Sequence, residues 1–240
     1  VSSPLSILDY RQPVEFRIGD VLVKAWGALS RHFLTFFLLA GLSQVPAVLL
    51  APGPRQYGRL FALLALNIVL SAFAQAVVVY AAFQDLLGKR VSATESLQRG
   101  LARFLPVIVL SIIMGLIVGV GFVLCFIPGL IAFAALQVAL PVCVVERLNP
   151  FKCISRSTDL TSGHWWPILG VLAALLVVNL VVTGALTAAL PRGSLPSTLV
   201  VLLWHMVAAS YGSVFAAILY HDLRAVKEGI GIEQIAAVFD

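Results

Sequence analysis

The side chains able to do chemistry are 11 acids, four histidines and three cysteines, spread over 240 residues. Catalysis by a nucleophile and base, by paired carboxylates or by a metal needs such groups gathered in one site. The acids instead fall in the tails, in basic segments, or at the ends of apolar runs, as Asp85 and Glu146 do. None sits in the middle of an apolar run, where a carboxylate would couple to proton or sodium movement. Cys125, Cys143 and Cys153 are odd in number and lack the spacing of a zinc site or a disulfide framework, which predicts ordinary reduced thiols. No catalytic residue, metal site or cofactor is expected.

Within the apolar runs lies a thin set of polar side chains. Gln75, Gln137, Asn179 and His205 form the candidate intramembrane polar cluster, with Asn67 nearby in sequence and His205 the ionisable member. Such groups in hydrocarbon face one another or water, so they could line a pocket or path. Interhelical hydrogen bonds, worth about 0.6 kcal/mol each, are the simpler and preferred account.

The elements that must position these residues follow from composition. With 60% hydrophobic and 11% charged side chains, the chain lies far from soluble averages. The opening residues carry acids and bases throughout and no lipid-anchor motif stands at either end, so neither a cleaved signal nor an anchor is expected. The basic pI of 9.4 does not suggest nucleic acid, because the bases are dispersed between apolar runs rather than interleaved with aromatics in one patch.

Charge-free runs long enough to cross hydrocarbon predict spans over about 33–50, 60–86, 104–127, 129–146, 165–190 and 196–221. The third and fourth come from one run of 42 residues, Phe104 to Val145, which is too long for one crossing. Pro128-Gly129 is the expected break, and Pro141 an expected kink. Of the 16 bases, 13 fall on one face under this reading and three, Arg55, Arg59 and Arg192, on the other. The positive-inside rule then places both termini in the cytoplasm.

Before the first, third and fifth spans lie amphipathic segments, about 18–31, 92–103 and 150–162. In the first, Ile18, Val21, Leu22, Ala25, Trp26 and Leu29 share a face, and Asp20 and Lys24 are spaced as an i,i+4 pair. The second opens on a capping-box pattern, Ser92 to Glu95, with Glu95 and Arg99 again at i,i+4. The third opens on Asn149-Pro150, a helix-start signal. Lys24 to His32 and Arg156 to His164 have the same spacing, each followed by an aromatic, Phe33 or Trp165. The expected fold is therefore an all-α integral membrane protein. Its six transmembrane helices form three helical hairpins, each preceded by a cytoplasmic interfacial amphipathic helix, within one membrane domain that ends in a tail at 222–240.

Basic and aromatic residues at the span entrances are the candidate lipid-headgroup contacts: Lys24, Arg31, Arg99, Arg103, Lys152 and Arg156, with Trp26, Trp165 and Trp166 as interfacial anchors. Small residues repeat every four positions at Ser111, Gly115 and Gly119, and at Ala208, Gly212 and Ala216, a pattern that permits close helix approach.

Four stretches, IGDVLVKAWGALSRHF, IPGL, ERLNPFKCISRSTDLTSGHWW and LYHDLRAVKEG, make the chain resemble a bacterial family of six-span proteins related to the membrane domain of glycerophosphoryl diester phosphodiesterase. The resemblance runs from about Ile18 to Val238. Glu146, Ser157, Leu160, Gly163 and Trp166 match its recurrent segment after the fourth span, and Tyr220, Asp222, Leu223, Arg224, Glu228 and Gly229 match its closing one. His221 and Ala225-Val226 depart from that closing pattern. In fused members the phosphodiesterase chemistry belongs to a separate soluble domain, which these residues do not contain.

The functional expectation is a non-enzymatic protein of the bacterial cytoplasmic (inner) membrane, an accessory or structural subunit whose partners are membrane lipids or a larger membrane complex, with no nucleic acid. Two alternatives are a transporter or channel for a lipid or other amphiphile, using the polar cluster, and a membrane enzyme component dependent on a partner for its active residues.

Overall fold

The computed structural model describes residues 18–41, 57–88, 93–191 and 194–228, with side chains of 57–65 and 93 left aside. Among these residues the chain is all helical, with no strand. The helices are α1 (Ile18–Arg31), α2 (Phe33–Gly41), α3 (Tyr57–Leu86), α4 (Ala93–Ala102), α5 (Phe104–Leu124), α6 (Phe126–Ala135), α7 (Ala139–Val145), α8 (Pro150–Thr161), α9 (Trp165–Ala189) and α10 (Leu195–Glu228).

Among the described residues, five segments are long and apolar enough to cross a membrane: Leu66–Leu86, Phe104–Leu124, Phe126–Val145, Trp165–Ala189 and Leu195–Glu228. Of the expected first span, α2 is the described part, and 42–50 lies outside the described residues. At 1.5 Å per residue the 34 residues of α10 reach about 51 Å, well beyond a hydrocarbon core of about 30 Å. The expected tail therefore begins as a continuation of this helix through Glu228, and 229–240 lies outside the described residues.

The long apolar run breaks at Cys125, whose extended backbone (φ −166°, ψ 142°) separates α5 from α6, rather than at Pro128-Gly129. Pro128 instead occupies the first turn of α6, where a missing N–H costs little. Gly129 serves close approach: a β-carbon there would stand 2.7 Å from the backbone nitrogen of Phe122, and one on Gly121 would stand 2.9 Å from the Gly129 Cα. The Ser111, Gly115 and Gly119 ridge is not this contact, because β-carbons on Gly115 and Gly119 would meet nothing within 4 Å.

The fourth span breaks a second time. Residues 136–138 form a turn between α6 and α7, so the interruption falls before Pro141, which sits in the first turn of α7. That break frees the Ala135 carbonyl, which accepts hydrogen bonds from Ser157 Oγ at 2.7 Å and Thr161 Oγ1 at 3.3 Å, both fully buried on α8. Replacing Ser157 with alanine should cost about 1–2 kcal/mol, since a buried acceptor in apolar surroundings loses its better donor. A Ser157→Ala variant whose unfolding in detergent matches the parent would show that Thr161 alone suffices.

Two helix stops lie at the same end of the bundle. Gly163, at φ +85°, follows α8 in the left-handed region that glycine enters without steric cost. Arg147 adopts the same region at φ 54° directly after Glu146, so α7 stops there without a glycine.

Packing is uneven along the bundle. In α5 the buried residues are Val107 and Leu110, and in α9 they are Ile168 and Val171, all near the helix starts. In α10 burial is concentrated from Ser210 to Leu223, and α7 is buried throughout. The core therefore sits at one end, where α1, α4 and α8 also pack, and the helices are exposed toward the other. Water does not drive helices together inside a bilayer, so close packing and polar contacts must hold the buried end.

Candidate functional site: a polar belt at the packed end

The three short helices share a register that their sequences only partly reveal. Lys24, Glu95 and Arg156 each stand nine residues before the first residue of the following helix, Phe33, Phe104 or Trp165. The next residue in each, Ala25, Ser96 or Ser157, is fully buried. A small side chain there lets the short helix lie close against a neighbouring helix, and the preceding polar residue bonds to a residue on or just past a neighbouring helix. Lys24 Nζ donates to Asp222 Oδ2 of α10 at 2.6 Å. Tyr80 Oη of α3 donates to Glu95 Oε1 at 3.0 Å, and Ser96 Oγ donates to Gln84 of α3 at 3.3 Å. Arg156 Nε donates to both Glu146 oxygens at 3.3 Å, just past α7.

The bonds of Glu95 and Ser96 to α3 and of Arg156 to Glu146 are between chain neighbours. That of α1 is not: Lys24 and Asp222 are 198 residues apart, and α1 lies along α10 as α4 lies along α3. The Tyr211 hydroxyl strengthens the closure by donating to the Leu22 carbonyl at 3.3 Å.

The densest part of the belt joins Glu146, Arg156, Tyr220, Arg224 and Glu228. Tyr220 Oη donates to Glu146 Oε1 at 2.7 Å, while Arg224 donates from Nη1 to the Tyr220 hydroxyl at 3.0 Å and from Nε to Glu228 Oε2 at 2.8 Å. Arg156 also pairs with Glu228. Two cations thus meet two anions around a phenol, and exposure of the charged side chains is only 14–27%. Glu146 comes from one of the stretches that carry the family resemblance, and Tyr220, Arg224 and Glu228 from another.

A second cluster forms at the end of α3. Arg31 donates to Asp85 Oδ2 at 2.6 Å, and His32 Nε2 lies 3.2 Å from Oδ1. The Asp85 carboxylate holds the Arg31 guanidinium above its ordinary pKa. Cys143 and Cys153 are buried nearby in sequence, and Cys125 is exposed. The adjacent Cys143, followed by burial, pushes the Cys153 thiol above the ordinary range.

Of the expected headgroup contacts, then, Lys24, Arg31 and Arg156 hold carboxylates of their own chain. Among the described residues Arg99, Arg103 and Lys152 form no ion pair. Trp26 and Trp166 are largely exposed, and Trp165 is half-buried with its Nε1 buried and without a hydrogen-bond partner. The expected i,i+4 pairs do not form: Lys24 bonds Asp222 instead of Asp20, and Glu95 receives Tyr80 instead of Arg99. An exposed helix pair is worth only about 0.3–0.5 kcal/mol, so a partner held in a less hydrated setting wins. Asn149 is the N-cap of α8 by backbone, but its side chain makes no capping bond, and Ser92 lies outside the described residues.

The intramembrane polar residues are distributed. Asn179 accepts a hydrogen bond from Trp204 Nε1 at 3.0 Å, which ties α9 to α10. His205 Nε2 is buried without a partner. Gln137 lies in the turn between α6 and α7. Gln75 lines two cavities beside α3, and neither of these includes Gln137, Asn179 or His205. Among the described residues no three His, Cys, Asp or Glu side chains gather as metal ligands.

The sequence reading missed the belt because it paired charges along each helix. The available signal was an acid at the end of the second, fourth and sixth expected spans, Asp85, Glu146 and Asp222, each matched by a base elsewhere in the chain.

Fold and belt together define the class: a multi-pass helical membrane protein. No protein-family model, curated protein or solved structure matches the chain.

Proposed function

We propose that this chain is a non-enzymatic accessory or structural protein of the bacterial cytoplasmic membrane, built as six spans in three hairpins with both termini in the cytoplasm. The belt then lies at the cytoplasmic face, where α1, α4 and α8 sit at headgroup level and contact acidic lipids or a larger membrane assembly. Membership of the six-span family named by the resemblance belongs to the same proposal.

The observation that carries this reading is how the reactive groups are used. Glu146, Arg156, Tyr220, Arg224 and Glu228 saturate one another, which favours holding helices over turning over a substrate. Meanwhile α5 and α9 offer almost their whole length outward, with 11% and 6% of their apolar stretches buried. Of the expected headgroup contacts, Arg99, Arg103 and Lys152 hold no carboxylate among the described residues and flank exposed Leu97, Leu101 and Phe151, the pairing of charge and apolar area that suits an anionic leaflet.

Replacing Arg99 and Arg103 with glutamate tests the lipid contact. Each base contributes about 1 kcal/mol of attraction to an acidic leaflet. Acidic lipid recovered with the purified protein should fall several-fold, and amide exchange over 95–102 should quicken while the long helices still insert. Unchanged lipid content and unchanged exchange would remove the lipid-contact half of the proposal.

A further inference from the structure

Two adjoining cavities lie against α3. One, of about 280 Å³, lies between α2, α3 and α10 and is lined by Ser71, Gln75, Gly212 and Ser213 among others. Its neighbour, of about 310 Å³, lies between α3, α5 and α7 and is lined by Asn67, Ser71, Gln75 and Ser111. Ser71 and Gln75 border both. Gln75 stands ten residues along α3 from Asp85, about 15 Å from the belt, which is half the thickness of a hydrocarbon core. The cavities also mark where packing changes: beyond them α5, α9 and the first half of α10 are largely exposed.

The lining has a definite chemistry. It contains no charged side chain. A phosphate, carboxylate or ammonium entering it would lose hydration with no counter-charge, which is prohibitive at this depth. Ser111 and Ser213 spend their hydroxyl protons on the Val107 and Ala209 carbonyls, and Ser71 donates to Asn67. What these serines have left is oxygen lone pairs, which accept from a hydroxyl group. The Gln75 amide has no hydrogen-bond partner among the described residues and supplies both a donor and an acceptor. A group carrying a free hydroxyl beside ester carbonyls matches that set, and a bilayer supplies such groups on acyl chains.

We propose that the paired cavities bind the uncharged, hydroxyl-bearing head of a neutral lipid of the diacylglycerol class, with its chains leaving through the loosely packed half of the bundle. This site is separate from Arg99, Arg103 and Lys152, to which the proposed function assigns acidic lipid at the membrane face.

The test uses the full chain reconstituted in vesicles containing a trace of diacylglycerol with a diazirine on one acyl chain, beside parallel vesicles in which phosphatidylglycerol carries the same group. Diacylglycerol should label peptides from 66–86 and 209–214, and unlabelled diacylglycerol should compete. Gln75→Leu should lower that labelling about fivefold, the loss expected for one desolvated hydrogen bond. Gly212→Leu provides a second arm: a β-carbon there meets nothing within 4 Å, so the side chain enters the open volume and should exclude the lipid without a backbone clash. Phosphatidylglycerol should label the outward faces of α5 and α9, indifferent to both substitutions. Equal labelling of α3 by the two lipids, or diacylglycerol labelling that survives both substitutions, would overturn the proposal. Loss of acidic-lipid recovery in the Arg99→Glu, Arg103→Glu protein with diacylglycerol labelling intact would separate this site from those bases.

Discussion

Replacing Glu146 with alanine is expected to destabilise the protein by about 3 kcal/mol, because it leaves two guanidinium groups sharing Glu228 alone and the buried Tyr220 hydroxyl without its acceptor. Glu146 accepts from Arg156, from Tyr220 and, at 4.0 Å, faces Arg224, so one deletion removes contacts to α8 and α10 together. Partial exposure keeps the expected cost at the lower end for broken ion pairs. Glu146→Gln retains an acceptor for Tyr220 and should cost roughly half as much. Adding Arg156→Met to Glu146→Ala should recover part of the loss, since the second change removes the cation in excess of the one remaining anion, Glu228, and the coupling in such a cycle measures the pair. Unfolding in mixed micelles is the measurement, with exposed Lys152→Ala as the control. Equal stability of Glu146→Ala and Lys152→Ala would mean that the network is ornamental.

Gly129→Val is expected to be comparably damaging for a different reason. The β-carbon would fall 2.7 Å from the Phe122 backbone nitrogen, and a backbone cannot rotate away as a side-chain tip can. The α5 and α6 helices must separate, at a cost of about 3 kcal/mol from lost packing and forced displacement. Gly115→Val is the matched control, since its β-carbon meets nothing within 4 Å and should leave stability nearly unchanged. Thermal unfolding in detergent of the two variants would compare them directly. A Gly115→Val protein as damaged as Gly129→Val would place the close helix contact on the Ser111, Gly115 and Gly119 ridge after all.

These two positions illustrate what was legible in advance. Gly129 was visible as a special residue, but its role was read as a turn. The turn is at Cys125, a residue with no breaker character, and the glycine is needed where α6 packs closely against α5. Small-residue spacing marks a helix face capable of close approach without saying which face is used. Glu146 was visible as an acid at a span end, and the bases Lys24, Arg31 and Arg156 as charges beside span entrances. Their pairing was invisible because neither spacing nor periodicity refers to residues outside one helix.

The sequence by itself determined the all-helical, membrane-crossing character of the chain and the locations of the short helices, since these depend on local quantities. Apolar length sets a crossing, and a 3.6-residue stripe sets an amphipathic helix. The start of α1, α5, α8 and α9 is readable to within a residue or so from where charge gives way to hydrocarbon side chains. Only the tertiary structure decided the partners. Lys24 finds Asp222 across 198 residues, Ser157 caps a carbonyl freed by a break in α6–α7, and Gln75 lines open space while Asn179 meets Trp204. In a bilayer the hydrophobic effect places every apolar helix equally well beside any other, so these few polar bonds and close contacts select the arrangement, and they exist only once distant segments meet.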